Sequence, residues 1–247
     1  FAHIVDDHEM GVTHVMRGDE FIASMPKFLS LYDALEIPWP HFVTLPPIMG
    51  PDGKKKLSKR DGAKDLLEYR EDGILPTAMR NFLALIGWHP GGDRELLFSD
   101  TTGDALLDAF DITRIQRSGG AFNPEKLAWM NGEHLKQLPA AAQATYVVAA
   151  LAPEEETVRT RLQKLTPTIL ERYRTQKEIR AAAAEGEFDW VYTAPEYDAA
   201  LLQWKYDASL DAAAPRLAHV QTLLEAADFS SPETIKAAIW EYAEATG

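Results

Sequence analysis

Five cations fall within seven residues at Lys54-Lys55-Lys56-Leu57-Ser58-Lys59-Arg60, directly after Gly50-Pro51-Asp52-Gly53. Cations at that density repel one another, and a bound phosphate chain relieves the repulsion. Proline fixes φ and glycine accepts positive φ, so Pro51-Asp52-Gly53 predicts a tight bend with the lysines on a loop rather than in a long helix. Taken alone, the cluster also fits a solvated surface or a generic nucleic-acid patch. A second candidate is Arg17, which ends a β-rich stretch beside Gly18. A guanidinium there offers a rigid fork for a substrate carboxylate, or a structural ion pair to Asp6, Asp7, Asp19 or Glu20. Asp6-Asp7 raises the question of magnesium, but adjacent residues of a strand point to opposite faces, so a shared ion is not expected. A third cluster, residues 158–180, holds seven basic side chains against two acidic ones. It fits an RNA-facing helix and, equally, the mixed surface of an ordinary one.

These residues need elements to hold them. Val12 to Met16 is rich in β-branched residues and predicts a buried strand. Phe28, Leu31, Tyr32 and Leu35 recur at helical spacing and predict a helix from about Ser24 to Leu35, stopped by Pro38 and Pro40. Phe42-Val43-Thr44-Leu45 predicts the next strand, leading through Pro46-Pro47 into the lysine loop. Residues 1 to about 45 thus read as strand, helix, strand, with the ligand loop beyond a strand's carboxyl end, which is half of a doubly wound nucleotide fold. Beyond the loop the pattern turns helical, at Leu66 to Arg70, Pro76 to Gly87 and Pro124 to Gly132, with prolines where a first turn tolerates them. Gly91-Gly92-Asp93 and Ser118-Gly119-Gly120 mark loops between them. From about Leu138 the chain becomes alanine-rich and reads as all-helical. Tyr173, Trp190, Tyr192, Trp204, Tyr206 and Trp240 are expected in its core rather than as base-stacking platforms.

Composition narrows the classes. The 247 residues carry 25 Lys plus Arg against 38 Asp plus Glu, net −13, and 46% hydrophobic residues, enough for a sizeable core and more than one domain. The absence of cysteine excludes a disulfide framework and any Cys-based zinc site, and the seven histidines show no paired ligand spacing. No apolar run is long enough for a transmembrane helix, so no membrane partner is expected. The chain opens on Phe1 without a signal-peptide pattern, which predicts a cytoplasmic protein and a segment of a longer one.

Lys56-Leu57-Ser58-Lys59-Arg60 resembles the KMSKS loop of class I aminoacyl-tRNA synthetases, in the form used by glutamyl-tRNA synthetases. Val5 to Glu20, Gly73-Ile74-Leu75-Pro76, Asn81 to Trp88 and Phe122 to Gly132 resemble the same family in order and approximate spacing. The resemblance implies an α/β fold going to all-α. Residues 1–45 would be the second half of the Rossmann catalytic domain, 46–137 the KMSKS loop and stem-contact domain, and 138–247 the first part of a helical anticodon-binding domain. It implies activation of L-glutamate by ATP to glutamyl-adenylate and transfer to the 3′ end of tRNA(Glu), by a protein expected to be a monomer. Magnesium would arrive with the nucleotide, with no metal site or zinc in this segment.

By the same resemblance, Lys59 carries the main catalytic role on the phosphates and Lys56 a supporting one. Ser58, Leu57, Arg60, Ile48 and Glu20 fall where the family contacts ATP. Arg17, and more weakly His3, fall on the glutamate side. Arg159, Arg161, Lys164, Thr168 and Arg172 fall on the tRNA side; at Thr168, after Pro167, some relatives carry an arginine linked to reading the anticodon. The family's other ATP-holding motif, HIGH, would lie upstream of Phe1, so the segment alone is expected to be inactive. Two other functions remain open on the sequence: a non-catalytic helical RNA-binding module, and a glutaminyl-tRNA synthetase, whose β-barrel anticodon region the alanine-rich tail does not resemble.

Overall fold

The computed structural model describes residues 1–58, 64–98, 104–194, 196, 198–202, 209–227 and 232–246. The chain divides into two units, Phe1–Tyr192 and Thr193–Gly247.

The first unit opens with a helix, α1 (Ala2–Glu9), where a strand was expected. Ile4 is its one buried residue; His3 and Asp7 are half-buried, and Asp6, His8 and Glu9 are exposed. Asp6 and Asp7 are therefore helical neighbours, and the strand geometry used to separate them does not apply. Strand β1 (His14–Gly18) begins two residues later than predicted and runs parallel to β2 (His41–Leu45), with Arg17 opposite Thr44 and Gly18 opposite Leu45. Between them a 3-10 turn, Asp19–Ser24, leads into α2 (Met25–Ala34). That helix ends before the prolines: Leu35 caps it and Glu36 takes φ +56°, the left-handed reversal that terminates a helix. This strand, helix, strand unit is the parallel crossover that places ligands beyond the carboxyl ends of its strands.

Among the described residues the rest of the unit is helical, with α3 (Leu66–Glu71), α4 (Pro76–Gly87), α5 (Ala105–Ala109) and α6 (Pro124–Lys136), then α7 (Ala140–Leu151), α8 (Glu156–Arg172), α9 (Gln176–Ala184) and α10 (Asp189–Tyr192). Prolines open α4 and α6 as expected, where the missing N–H leaves no intrahelical bond unmade. Met79, Phe82 and Ile86 of α4 pack on Phe122 and on Leu127 and Met130 of α6. A second core joins α7, α8, α9 and α10 through Val147, Leu162, Ile179 and Val191, each fully buried.

A buried polar node ties the two cores together. The Asn131 side chain, fully buried, accepts from the Leu75 amide at 2.7 Å and donates to the Arg174 carbonyl at 2.6 Å and the Gly73 carbonyl at 3.3 Å. The Tyr146 hydroxyl donates to the Gly73 carbonyl at 2.7 Å and accepts from the Gln176 amide at 3.0 Å. Burial pushes its pKa up to about 12, so it keeps its proton. Gly73 has φ +88°, and a Cβ there would run into Gln176.

The second unit contains a 3-10 turn, Ala199–Leu202, and helices α11 (Leu210–Ala226) and α12 (Pro232–Thr246), joined in part by the rings of His219 and Tyr242, tilted at 34° with centroids 4.4 Å apart. The aromatic residues divide differently from expectation. Trp190, Tyr192 and Trp240 are exposed rather than core, Tyr173 packs partly against the second core, and Trp204 and Tyr206 lie outside the described residues.

Candidate active site

The lysine loop is a short hairpin. The Leu57 amide donates to the Ile48 carbonyl at 2.8 Å and the Gly50 amide to the Lys55 carbonyl at 2.7 Å, so Ile48 to Gly50 lies antiparallel to Lys55 to Leu57. The bend is the one Pro51-Asp52-Gly53 predicts: Gly53 takes φ +66°, and the Asp52 carboxylate accepts from the Lys54 amide at 3.0 Å. Its base is clamped to the loop before α6, with the Met49 amide donating to the Gly120 carbonyl at 3.0 Å and the Phe122 amide to the Met49 carbonyl at 2.8 Å. Leu57 packs against the α4–α6 core, which turns Lys54, Lys55, Lys56 and Ser58 outward, all exposed. Lys59 and Arg60 lie outside the described residues.

Glu20, just past the carboxyl end of β1, meets this hairpin: Lys56 Nζ is 3.8 Å from its carboxylate. The Glu20 backbone N–H, then the charge of Lys56, hold that carboxylate below its usual pKa. The Glu20 carboxylate folds back over Gly18. Two residues far apart in sequence, both expected at the nucleotide, are thus side by side.

Arg17 is half-buried on the same strand end. Its guanidinium lies 4.9 Å from the Phe21 ring centroid and 5.9 Å from that of Phe28. Among the described residues none of Asp6, Asp7, Asp19 and Glu20 pairs with it, while its flat faces rest on aromatic carbon. The His3 ring meets the edge of Phe28, centroids 5.0 Å apart, so α1, β1 and the 3-10 turn bring His3 and Arg17 around one phenylalanine. Sequence reasoning placed Phe28 in a helix and passed over Phe21; with Arg17 on a strand and Phe21 in a 3-10 turn, no helical spacing links the two.

The α8 candidates separate. Arg161, Lys164, Thr168 and Arg172, three or four residues apart, share one face of the helix. Arg161 donates to the Val191 carbonyl at 2.8 Å, and Arg172 pairs with Glu187 at 3.3 Å and lies over Tyr173. Lys164 and Thr168 are exposed. Arg159 falls on another side, paired with Glu156 at 3.1 Å and donating to the Pro153 carbonyl at 3.3 Å.

A parallel crossover with an arginine and a glutamate at its strand ends and a lysine hairpin beyond them defines a nucleotide-fold enzyme core. The family described as tRNA synthetases class I (E and Q), catalytic domain, matches residues 1–129, and the chain belongs to it. It is similar to the glutamate–tRNA ligase of Nitratidesulfovibrio vulgaris strain Hildenborough, 37% identical over 248 residues covering 100% of this chain and 51% of that protein. The glutamate–tRNA ligase of Chloroflexus aurantiacus is 38% identical over 239 residues, covering 94% of this chain and 46% of that one. Among solved structures, a glutamate tRNA ligase from Elizabethkingia meningosepticum in complex with its amino acid superposes with a TM-score of 0.70 at 31% identity, covering 100% of this chain and 50% of that chain. The chain spans about half the length of these relatives. Among the described residues no helix is long and apolar enough to cross a membrane.

Proposed function

We propose that this chain provides one wall of the amino-acid pocket and the phosphate-handling loop of a glutamate–tRNA ligase. In the first step the α-carboxylate of glutamate attacks the α-phosphorus of ATP, the bond to the bridging oxygen breaks, and pyrophosphate leaves from glutamyl-adenylate. In the second, the terminal ribose hydroxyl of tRNA(Glu) attacks the acyl carbon and AMP leaves. Arg17 grips the substrate γ-carboxylate through two parallel N–H···O bonds, which selects against an amide, with His3 completing that side. Lys59 and Lys56 stabilise the charge that builds on the phosphates, Ile48, Leu57, Ser58, Arg60 and Glu20 line the nucleotide, and magnesium comes with it. The exposed ammonium groups of Lys54, Lys55 and Lys56 on a fixed hairpin suit a phosphate chain. Residues 1–45 act as the nucleotide-fold half, 46–137 as the loop and stem-contact region, and 138–247 as the anticodon-side region. There Lys164, Thr168 and Arg172, on one exposed face of α8, face RNA, whereas Arg159 and Arg161 are held by acceptors within the protein.

The observation that carries this reading is the Glu20–Lys56 contact, which brings the loop of cations to the strand end that bears Arg17. The test is ATP–pyrophosphate exchange by the protein at its full natural length, with tRNA present. Exchange is expected to require glutamate and to fall about 10²- to 10³-fold in Lys59→Ala, the effect of losing one electrostatic contact in a transition state. Unchanged exchange in that variant, or exchange with glutamine but not glutamate, overturns the assignment; tRNA binding with no exchange at all would make the protein an RNA-binding module.

A further inference from the structure

At the amino-terminal ends of β1 and β2 lies a cavity of about 440 Å³, walled by the end of α1, residues 11–13, α2 and residues 37–40. That size falls within the range of about 300–1,000 Å³ usual for small-molecule sites. Backbone bonds fix its walls: the Val12 amide donates to the Asp7 carbonyl at 2.8 Å, the Ile37 amide to the Tyr32 carbonyl at 3.0 Å and the His41 amide to the Thr13 carbonyl at 2.9 Å. Trp39 stands between Pro38 and Pro40, and its indole N–H donates to the Asp33 carboxylate at 2.9 Å, so a ring that is 54% exposed is nonetheless held in place. Two polar side chains in the lining are left over by the fold. Asp7 is half-buried, and among the described residues its carboxylate has neither a cation nor a hydrogen-bond donor. Tyr32 is only 2% exposed, and its hydroxyl likewise has no hydrogen-bond partner among the described residues. Groups so placed are costly to leave unpaired. The lining holds no Lys or Arg, and Asp7 is its only carboxylate.

We propose that this cavity binds a primary organic ammonium ion with a flat apolar body. The ammonium donates to the Asp7 carboxylate and to the Tyr32 oxygen, giving both groups a partner, and the apolar body lies against the Trp39 indole, whose π face also attracts the cation. Burial first, then the charge of Asp7, raises the Tyr32 pKa above the ordinary 10, so the phenol stays neutral and adds no second negative charge. An anion is repelled by Asp7, and a neutral ligand leaves that carboxylate without a counter-charge. The cavity is at the opposite end of the strands from Arg17 and Glu20, so the inference does not rest on the ligase reading and is tested without it.

The test is calorimetric titration of the protein at its full natural length with three probes that share a benzyl group: benzylammonium, benzyl alcohol and phenylacetate. Benzylammonium is expected to bind at least about tenfold more tightly than either of the others, as a charge-assisted contact requires. Asp7→Asn should weaken benzylammonium about tenfold and bring it level with the alcohol, and Tyr32→Phe should weaken it about threefold. Trp39→Leu should weaken both benzylammonium and benzyl alcohol about tenfold, and because it changes an exposed side chain it keeps the test decisive if Asp7→Asn fails to fold, which thermal unfolding reads. Equal affinity for benzylammonium and benzyl alcohol overturns the proposal. So does benzylammonium affinity that stays within about twofold of wild type in folded Asp7→Asn or in Trp39→Leu, because the ion would then bind elsewhere. Absence of benzylammonium binding at millimolar concentration overturns it as well.

Discussion

Replacing Asn131 by alanine tests the polar node directly, because its partners can be followed one by one. The variant leaves the half-buried Leu75 amide without an acceptor and the Arg174 carbonyl without a donor, whereas the Gly73 carbonyl keeps the Tyr146 hydroxyl. Each buried group left unsatisfied costs about 1–3 kcal/mol, so Asn131→Ala should destabilise the protein by about 2–6 kcal/mol. Tyr146→Phe strands one group, the Gln176 amide, since the Gly73 carbonyl then retains Asn131; it should cost about 1–3 kcal/mol. Only the double variant strips Gly73 of both donors, so its loss should exceed the sum of the single losses by a further ~1–3 kcal/mol. Urea unfolding followed by circular dichroism and by tryptophan fluorescence reads all three, coincidence of the two probes testing two-state behaviour. An Asn131→Ala loss below about 1 kcal/mol, or double-variant additivity to within about 0.5 kcal/mol, would refute the accounting.

Arg17→Lys keeps the charge and removes the fork and its aromatic stacking. KM for glutamate in the exchange assay should rise about tenfold or more with little change in kcat, and a KM within about twofold of wild type would place the γ-carboxylate elsewhere. His134 is buried, its Nε2 3.2 Å from the Asn81 side-chain oxygen, and burial lowers its pKa below the ordinary 6.5. The unfolded chain then binds the proton more readily, so the stability this histidine contributes is complete above about pH 6.5 and is lost as pH falls through the lower folded value. Urea midpoints at about pH 7.5 and 5.5 should fall further in wild type than in His134→Gln, and equal falls would exclude the histidine as the source.

What could be read in the sequence was local, and what was missed was mostly long-range. The prolines opening α4 and α6, the bend at Pro51-Asp52-Gly53 and the run His41–Leu45 are decided within a few residues, and the structure has them. Helix α1 was missed because eight residues with a single buried anchor show no helical period. The termination of α2 by a glutamate at positive φ was invisible for a similar reason: residues other than glycine rarely adopt it, and Pro38 and Pro40 offered the more obvious stop. Gly119-Gly120 was read only as a loop signal. The structure supplies the physical reason, since a Cβ at Gly119 would collide with the Pro47 carbonyl and one at Gly120 with the Ile86 carbonyl. Those contacts seat the lysine hairpin, and no sequence window contains both sides of them.

The same limit applies to counting charges as a footprint for RNA. Four of the seven cations in residues 158–180 have acceptors within the protein: Arg161 on the Val191 carbonyl, Arg180 on the Glu71 carbonyl, Arg159 on Glu156 and the Pro153 carbonyl, and Arg172 on Glu187. Arg161 and Arg180 reach backbone oxygens, and diverting them to a phosphate would unmake fold contacts. The Arg172–Glu187 pair is mostly solvent-facing, and such pairs contribute about 0–1 kcal/mol, so a phosphate competes for that guanidinium at little cost. Lys164, exposed one turn from Arg161 and two turns from Arg172, has no ion-pair partner among the described residues. The basic stretch therefore does two jobs that composition merges: its inner arginines bind helices to helices and to the end of α3, and Lys164, Arg172, Arg174 and Lys177, all exposed, are the charge it can present to a polyanion.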